Sequence, residues 1–348
     1  MSRQEIYNML VRAKRPIDCF GDVKDEKALK KEYLRLAKLI HPDTANEREV
    51  YISTNGFELL NALYKSAVDE FQKGIYFLRE SIDIYAKSSS LFSLDIHNRT
   101  YKFYEKIYEG EIADIYKGVC DKEIVCLKLC LDESDNDLLQ KEYETLKAYS
   151  HQSLPIVRDF IKINDCAAIV MDEIKGENLV DIMKRNPKGL NPEVVMWVME
   201  RLFSAVGYLH SNYIVHSNLI PENIIINKDN HNVSISGFSF HIAEANKGKN
   251  FYKIKNEDFS APEVSKDEPV FPQSDIYMLG KLAIYMLGGD LKTTGMPINI
   301  DVRIRSFIRK MVEEDKKKRS NDAWKLWDEW REIRRNVYGD AKFKQIKF

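Results

Sequence analysis

Cys126, Lys128 and Cys130 are the first residues whose types and spacing raise a question of chemistry. They alternate along Ile124–Leu129 and its flank, a run that reads as a strand, so all three side chains share one face. Two thiolates there could hold zinc, but no nearby His or Cys pair completes a tetrahedral site. The chain has 5 cysteines, Cys19, Cys120, Cys126, Cys130 and Cys166, and none pairs at C-x-x-C spacing. They read as reduced, buried thiols of a cytoplasmic protein. A second group is His41-Pro42-Asp43, an imidazole and a carboxylate set in a break after a helical run. Proline disfavours helix at the residue before it, which puts the break at His41. A third is Trp324, Trp327 and Trp330, followed by Arg331, Arg334 and Arg335. Such a stripe reads as the buried face of a last helix.

These groups need elements to position them. Asp25–Ile40 places Leu29, Tyr33, Leu36, Ala37 and Ile40 at helical spacing, with Lys27, Lys30, Lys31, Arg35 and Lys38 around the rest. A second helix is predicted from Phe57 to Phe71, so the two form a hairpin with His41-Pro42-Asp43 in its loop. Residues 1–86 are read as one helical module and 87–100 as a linker, centred on Lys87-Ser88-Ser89-Ser90. From Tyr101 the pattern turns to short strands: Phe103–Tyr108, Asp114–Val119 and Ile124–Leu129. A helix follows near Asp135–Ser150, then strands Val157–Ile163 and Ala167–Glu173, and mostly helix from Asn191. A small β-rich part before a larger α-rich part implies two lobes with a cleft between them. The fold class is α+β, with a bilobal domain over 101–333 behind a small all-α module.

The 348 residues suffice for two or three domains, and 44% hydrophobic with 31% charged residues is an ordinary globular balance. A net charge of -1 gives no reason to expect nucleic acid or an anionic membrane as partner. The C-terminal stretch Arg331–Phe348 is locally basic, with six Lys/Arg against two Asp/Glu, and 334–348 reads as a basic tail. Met1–Pro16 carries charges throughout, unlike a signal peptide, and no long apolar run spans a membrane.

Residues 101–333 resemble a protein kinase, through ordered motifs at the right separations. His216-Ser217-Asn218-Leu219-Ile220-Pro221-Glu222-Asn223 is similar to the catalytic loop H-R-D-L-K-P-E-N. Gly237-Phe238-Ser239 stands at the D-F-G position, and Ala261-Pro262-Glu263 matches A-P-E, with Arg319 as its expected partner. Ser274–Gly280 resembles the helix that anchors the large lobe. Cys126-Leu127-Lys128 resembles the end of V-A-I-K, and Glu142 falls at the partner position. By this resemblance Met171 is the gatekeeper, Asp172–Ile174 the hinge, Cys126 the roof of the adenine slot, and Leu146, Val157, His216 and Phe238 an internal stack over Asp275.

The resemblance also shows what is missing. Phosphoryl transfer is mostly positioning and charge neutralisation. Asn218 replaces the aspartate that accepts the substrate proton, and an amide is no base near neutral pH. Gly237 replaces the aspartate that holds magnesium, leaving Asn223 without its charged companion. Ile220 replaces the loop lysine, and Ser217 the arginine that receives an activation-loop phosphate. Of the phosphate-covering glycines only Gly110 survives, among Glu109, Glu111 and Asp114. No catalytic residue is intact, no metal is expected, and the reading is a pseudokinase scaffold. The alternative is an atypical kinase, or a sensor that binds ATP without magnesium through Gly110, Cys126, Lys128, Glu142, Met171 and Asn223.

Residues 14–75 resemble a J-domain, on Ile17-Asp18-Cys19-Phe20-Gly21, the basic helix, His41-Pro42-Asp43 and Phe57-Glu58-Leu59-Leu60-Asn61-Ala62-Leu63-Tyr64. The resemblance implies docking on a DnaK-type heat-shock chaperone through Lys30, Lys31, Arg35, Lys38, His41, Pro42 and Asp43, steered by charge. Glu47-Arg48-Glu49 after the tripeptide departs from the family's pattern, and its basic fourth helix is not evident in Gln72–Glu80. A protein client, unidentified, is the expected second partner.

Overall fold

A computed structural model describes residues 1–13, 16–21, 23, 25–45, 49–72, 90–121, 123–243, 256–266 and 268–339. These form two compact units: one holds Met1–Lys106, Tyr116–Val125 and Ser150–Gln152, the other Ile107–Ile115, Cys126–Tyr149 and Ser153 onward.

The helical part of the first unit comprises α1 (Arg3–Arg12), α2 (Pro16–Phe20), α3 (Glu26–Ile40) and α4 (Val50–Gln72). Asp25 caps α3 by accepting the Ala28 amide at 2.7 Å. The α3 stripe predicted from spacing is the buried one: Leu29, Leu36, Ala37 and Ile40 are all 8% exposed or less. Helix α4 starts seven residues before the predicted Phe57, since Val50, Tyr51 and Ile52 continue the helix upstream. Gly56 lets α4 approach α3 closely, because a Cβ there would stand 2.3 Å from Ile40 Cδ1. Helix α1, which the sequence reading left without a role, inserts Ile6, Tyr7 and Leu10 into the same core at 0–1% exposure.

Strands β1 (Phe92–Ile96), β2 (Arg99–Tyr108), β3 (Ala113–Cys120), β4 (Glu123–Cys130), β5 (Val157–Ile163) and β6 (Cys166–Asp172) form one sheet in the order β1-β2-β3-β4-β6-β5. Phe92–Ile96 lies inside the stretch read as linker and corrects that boundary. It pairs antiparallel with β2 through a two-residue turn at His97 (φ 48°) and Asn98 (φ 63°). Both residues are left-handed, the hairpin geometry usually written with Asn-Gly, so the signal was easy to miss. Helix α5 (Asn136–Ala148) lies between β4 and β5 in sequence.

The large lobe contains β7 (Glu177–Asn178), α6 (Leu179–Arg185), α7 (Pro192–Ser211), β8 (Ile224–Asn227), β9 (Asn232–Ile235), α8 (Pro262–Ser265), α9 (Pro272–Met286), α10 (Val302–Met311) and α11 (Ala323–Tyr338). β7, β8 and β9 form a small antiparallel sheet. Every residue of α9 from Ser274 to Ile284 is buried, as befits a helix around which a lobe is built. Trp330 is fully buried on α11 and donates from Nε1 to Met196 O at 2.8 Å, so the tryptophan stripe packs on α7. Arg334–Tyr338, read as the start of a tail, belongs to α11. Arg334 and Arg331 pair with Glu200 at 3.4 and 3.3 Å. Lys342–Phe348, Lys87-Ser88-Ser89 and residues 73–86 lie outside the described residues. No helix among the described residues is long and apolar enough to cross a membrane.

Candidate functional site

The residues assigned to the kinase-like cleft all belong to the second unit. Lys128, central in β4, donates from Nζ to Glu142 Oε2 of α5 at 2.7 Å. Both are buried, at 8% and 2% exposure. The sequence reading missed their third partner. Lys128 Nζ also donates to Ser239 Oγ at 2.6 Å, and Ser239 Oγ donates to Glu142 Oε2 at 2.8 Å. Ammonium, carboxylate and hydroxyl therefore close a triangle of charge-assisted bonds, each stronger than a neutral one. The clue was a hydroxyl in place of the last glycine of D-F-G.

Two further links tie α5 to the same segment. Lys141 Nζ donates to His241 O at 2.9 Å, and Thr145 Oγ1 lies 2.7 Å from His241 Nε2. His241 Nδ1 sits 2.5 Å from Phe238 O, which fixes the proton on Nδ1 and makes Nε2 the acceptor of the Thr145 hydroxyl. Burial holds this imidazole down at about 4, although Phe238 O pulls the other way.

The 216–223 loop is held from below. Asp275 Oδ2 accepts the His216 amide and Oδ1 the Ser217 amide, both at 2.8 Å. That clamp keeps Ser217 left-handed at φ 64°, a costly conformation for a residue other than glycine. His216 meets the Phe238 ring edge-on, with centroids 4.5 Å apart, and Leu146 and Val157 are buried in the same core. Burial pulls His216 down to about 4 as well, against the attraction of Asp275. Asn218 donates its backbone amide to His216 Nδ1 at 3.2 Å.

These two rings carry a prediction. Each is neutral when folded and has its ordinary value near 6.5 when unfolded, so unfolding takes up protons as the solution becomes acidic. The stability they contribute is complete above pH 6.5 and is lost as pH falls toward 4, by roughly 3 kcal/mol each. Denaturant titrations at pH 7, 6, 5 and 4 should show this slope. His241→Gln should flatten it by about half over that window.

Magnesium does not fit the residues present. Gly237, at φ 82°, offers no carboxylate, and a Cβ built on it would fall 2.4 Å from the Asn223 amide carbon. Asn223 thus fills the place where a residue-237 side chain would begin, while its Nδ2 donates to Asn218 O at 2.9 Å. Among the described residues no cluster of three metal-ligating side chains occurs. A Cβ on Gly110 would meet Ala113 O at 2.5 Å and Tyr108 Cε1 at 2.9 Å, so the tight turn and the tyrosine ring already require glycine there. Burial, with Glu222 and Glu111 nearby, raises the Tyr108 phenol above its usual range. Asp114, grouped with Glu109 and Glu111 in the sequence reading, is buried at 7% exposure. Cys126 and Met171, each 7% exposed, line one continuous core, and Ile220 packs against it.

Elsewhere the expected pairs are present. Arg319 Nη2 donates to Glu263 Oε2 at 2.5 Å and Nη1 to Gln273 O at 2.8 Å, beneath a buried Ser274–Glu263 bond of 2.7 Å. In the helical module Lys30, Lys31, Arg35 and Lys38 are exposed on α3. Arg35 is engaged by Glu32 through both Nε and Nη2. His41 Nδ1 accepts the Asp43 amide at 3.2 Å, and its ring meets Phe57 edge-on at 4.9 Å.

Residues 101–330 match the protein kinase domain family. Among curated relatives, serine/threonine-protein kinase dkf-2 of Caenorhabditis briggsae is 24% identical over 213 residues, covering 59% of this chain and 18% of that protein. Serine/threonine-protein kinase pkn2 of Myxococcus xanthus is 25% identical over 252 residues, covering 64% and 30%. Serine/threonine-protein kinase PrkC of Bacillus subtilis (strain 168) is 26% identical over 206 residues, covering 56% and 31%. The chain spans less than a third of the length of each of these relatives. A sheet-rich small lobe, a helical large lobe and this match over most of the sequence agree, and the chain belongs to the protein kinase domain family.

Proposed function

We propose that this kinase domain is a scaffold that does not transfer phosphate, and that the helical module ahead of it recruits a DnaK-type heat-shock chaperone. The observation that carries the first half is the Asn223 amide standing 2.4 Å from where a Cβ of residue 237 would be. The position that should hold the metal has neither a carboxylate nor room for one. Lys128, the group that would meet phosphate, also donates to Ser239 Oγ at 2.6 Å. The second half is supported by the exposed basic face of α3 and by the shape of the His41-Pro42-Asp43 loop. Five free thiols support a reducing, cytoplasmic setting. A protein client bound by the scaffold would complete the assembly.

Two assays test the proposal. Purified protein incubated with labelled ATP and magnesium or manganese should label neither itself nor a generic substrate above background; clear transfer would sink the scaffold reading. ATP hydrolysis by a DnaK-type chaperone should rise severalfold when the protein is added. His41→Gln should remove that rise, and equal rates with the two proteins would remove the chaperone from the proposal.

A further inference from the structure

Arg3 lies in the first turn of α1, outside every motif that the sequence reading singled out. Ser2 caps that helix: its Oγ accepts the Glu5 amide at 3.2 Å, and Glu5 Oε2 accepts the Ser2 amide at 2.7 Å. Helical spacing puts Arg3 on the same side as Ile6, Tyr7 and Leu10, the residues that α1 buries in the module core. The guanidinium is thereby delivered to the loop between α3 and α4 with its side chain only 17% exposed.

Almost all of its donor capacity is spent there. Nη1 donates to His41 O at 3.2 Å and to Ser53 Oγ at 3.0 Å. Nη2 donates to Thr44 O at 2.6 Å and to Thr44 Oγ1 at 2.9 Å. Nε stands 3.3 Å from Glu49 Oε2. One side chain therefore joins the end of α3, the turn at 42–44 and the first turns of α4. Thr44 adds its own hydroxyl bond to His41 O at 3.0 Å. With the ring of His41 braced on Phe57, the 41–44 turn is fixed from both sides and the Asp43 carboxylate is left outward, 86% exposed.

We propose that Arg3 is a positioning residue, a clamp from an added helix that holds the His41-Pro42-Asp43 loop in the shape a chaperone would bind. The inference rests on the chaperone reading above and adds a residue to it. A loop ordered before contact gives up less conformational freedom on binding, so the clamp acts on affinity more than on the maximal effect. A planar fork also makes demands that a lysine ammonium cannot meet.

The test uses the full chain as wild type, Arg3→Ala, Arg3→Lys and Leu10→Ala, with two measurements. Deuterium exchange is followed at the Thr44 and Ala45 amides, which donate to His41 O and Pro42 O. Stimulation of ATP hydrolysis by a DnaK-type chaperone is titrated against protein concentration. For Arg3→Ala the two amides should exchange about tenfold faster, and half-maximal stimulation should need about tenfold more protein, with a smaller change in the maximum. Arg3→Lys should fall between. Leu10→Ala, which empties a core position on the same helix without touching the clamp, should lower the melting temperature yet leave both readouts near wild type. Unchanged exchange in Arg3→Ala would overturn the clamp. Equal losses from Leu10→Ala would reduce Arg3 to a general stabiliser and overturn it too. If the wild-type protein gives no stimulation, the chaperone reading fails, and with it the purpose assigned to Arg3. The exchange pattern would still show whether the clamp exists.

Discussion

Lys128→Met is expected to lower the melting temperature of the kinase domain by roughly 10 °C, with no nucleotide present. The substitution leaves the Glu142 carboxylate, 2% exposed, facing a hydroxyl and no cation. Breaking a buried ion pair from one side costs about 3–5 kcal/mol, and each kcal/mol moves a domain of this size by about 2–4 °C. Removing both charges should be far milder. Lys128→Met with Glu142→Leu replaces the pair by apolar volume, and such exchanges are often neutral. Thermal melts of the two variants beside wild type decide the matter. A shift of under about 2 °C for Lys128→Met would mean the triangle contributes little. The same proteins weigh the sensor alternative. If ATP without metal stabilises the wild type and not Lys128→Met, nucleotide binding through this lysine gains ground.

The second large effect is a failure to restore activity. Asn218→Asp with Gly237→Asp returns both acidic groups, yet the double variant should still show no phosphoryl transfer above background. It should also be less stable by about 2 kcal/mol. A side chain at 237 must take φ 82°, which costs roughly 1–2 kcal/mol outside glycine, and its Cβ would displace Asn223. Moving Asn223 breaks the bond of its Nδ2 to Asn218 O, worth about 1 kcal/mol. A returned base would contribute about 10²–10⁴ in rate only if the remaining parts were in place. They are not: Ile220 offers no charge, and Glu109 and Glu111 stand exposed beside the phosphate cover. Substrate labelling by the double variant at more than about a hundred times the wild-type rate would show the site to be only two residues from function.

The sequence made much of this legible, because the order and separation of motifs persist where single residues within them differ. Gly237, Asn218 and Lys128 were placed by counting; in the fold Asn223 stands between Gly237 and Asn218, and Lys128 pairs with Glu142. What counting could not show is where a freed side chain turns. Asn223 and Ser239 became partners of Gly237 and Lys128 only through packing, and no linear pattern links 128 to 239. Gly110 was the reverse case. Its identity suggested a phosphate cover, while the carbonyl of Ala113 explains it as a tight turn. Strand β1 went unread because His97-Asn98 makes its turn without glycine. Arg3 was invisible for the plainest reason: its partners lie 38 to 50 residues away, in the 41–44 turn and the start of α4.

The bonds from Lys141, Glu142 and Thr145 to the Ser239–His241 segment have one more implication. In working kinases the placement of this helix is what activation controls, and it responds to ligand and phosphate. Here side-chain bonds from three residues of the helix hold it. If the scaffold reading holds, a partner that reads the outer face of the helix would meet the same surface with and without nucleotide.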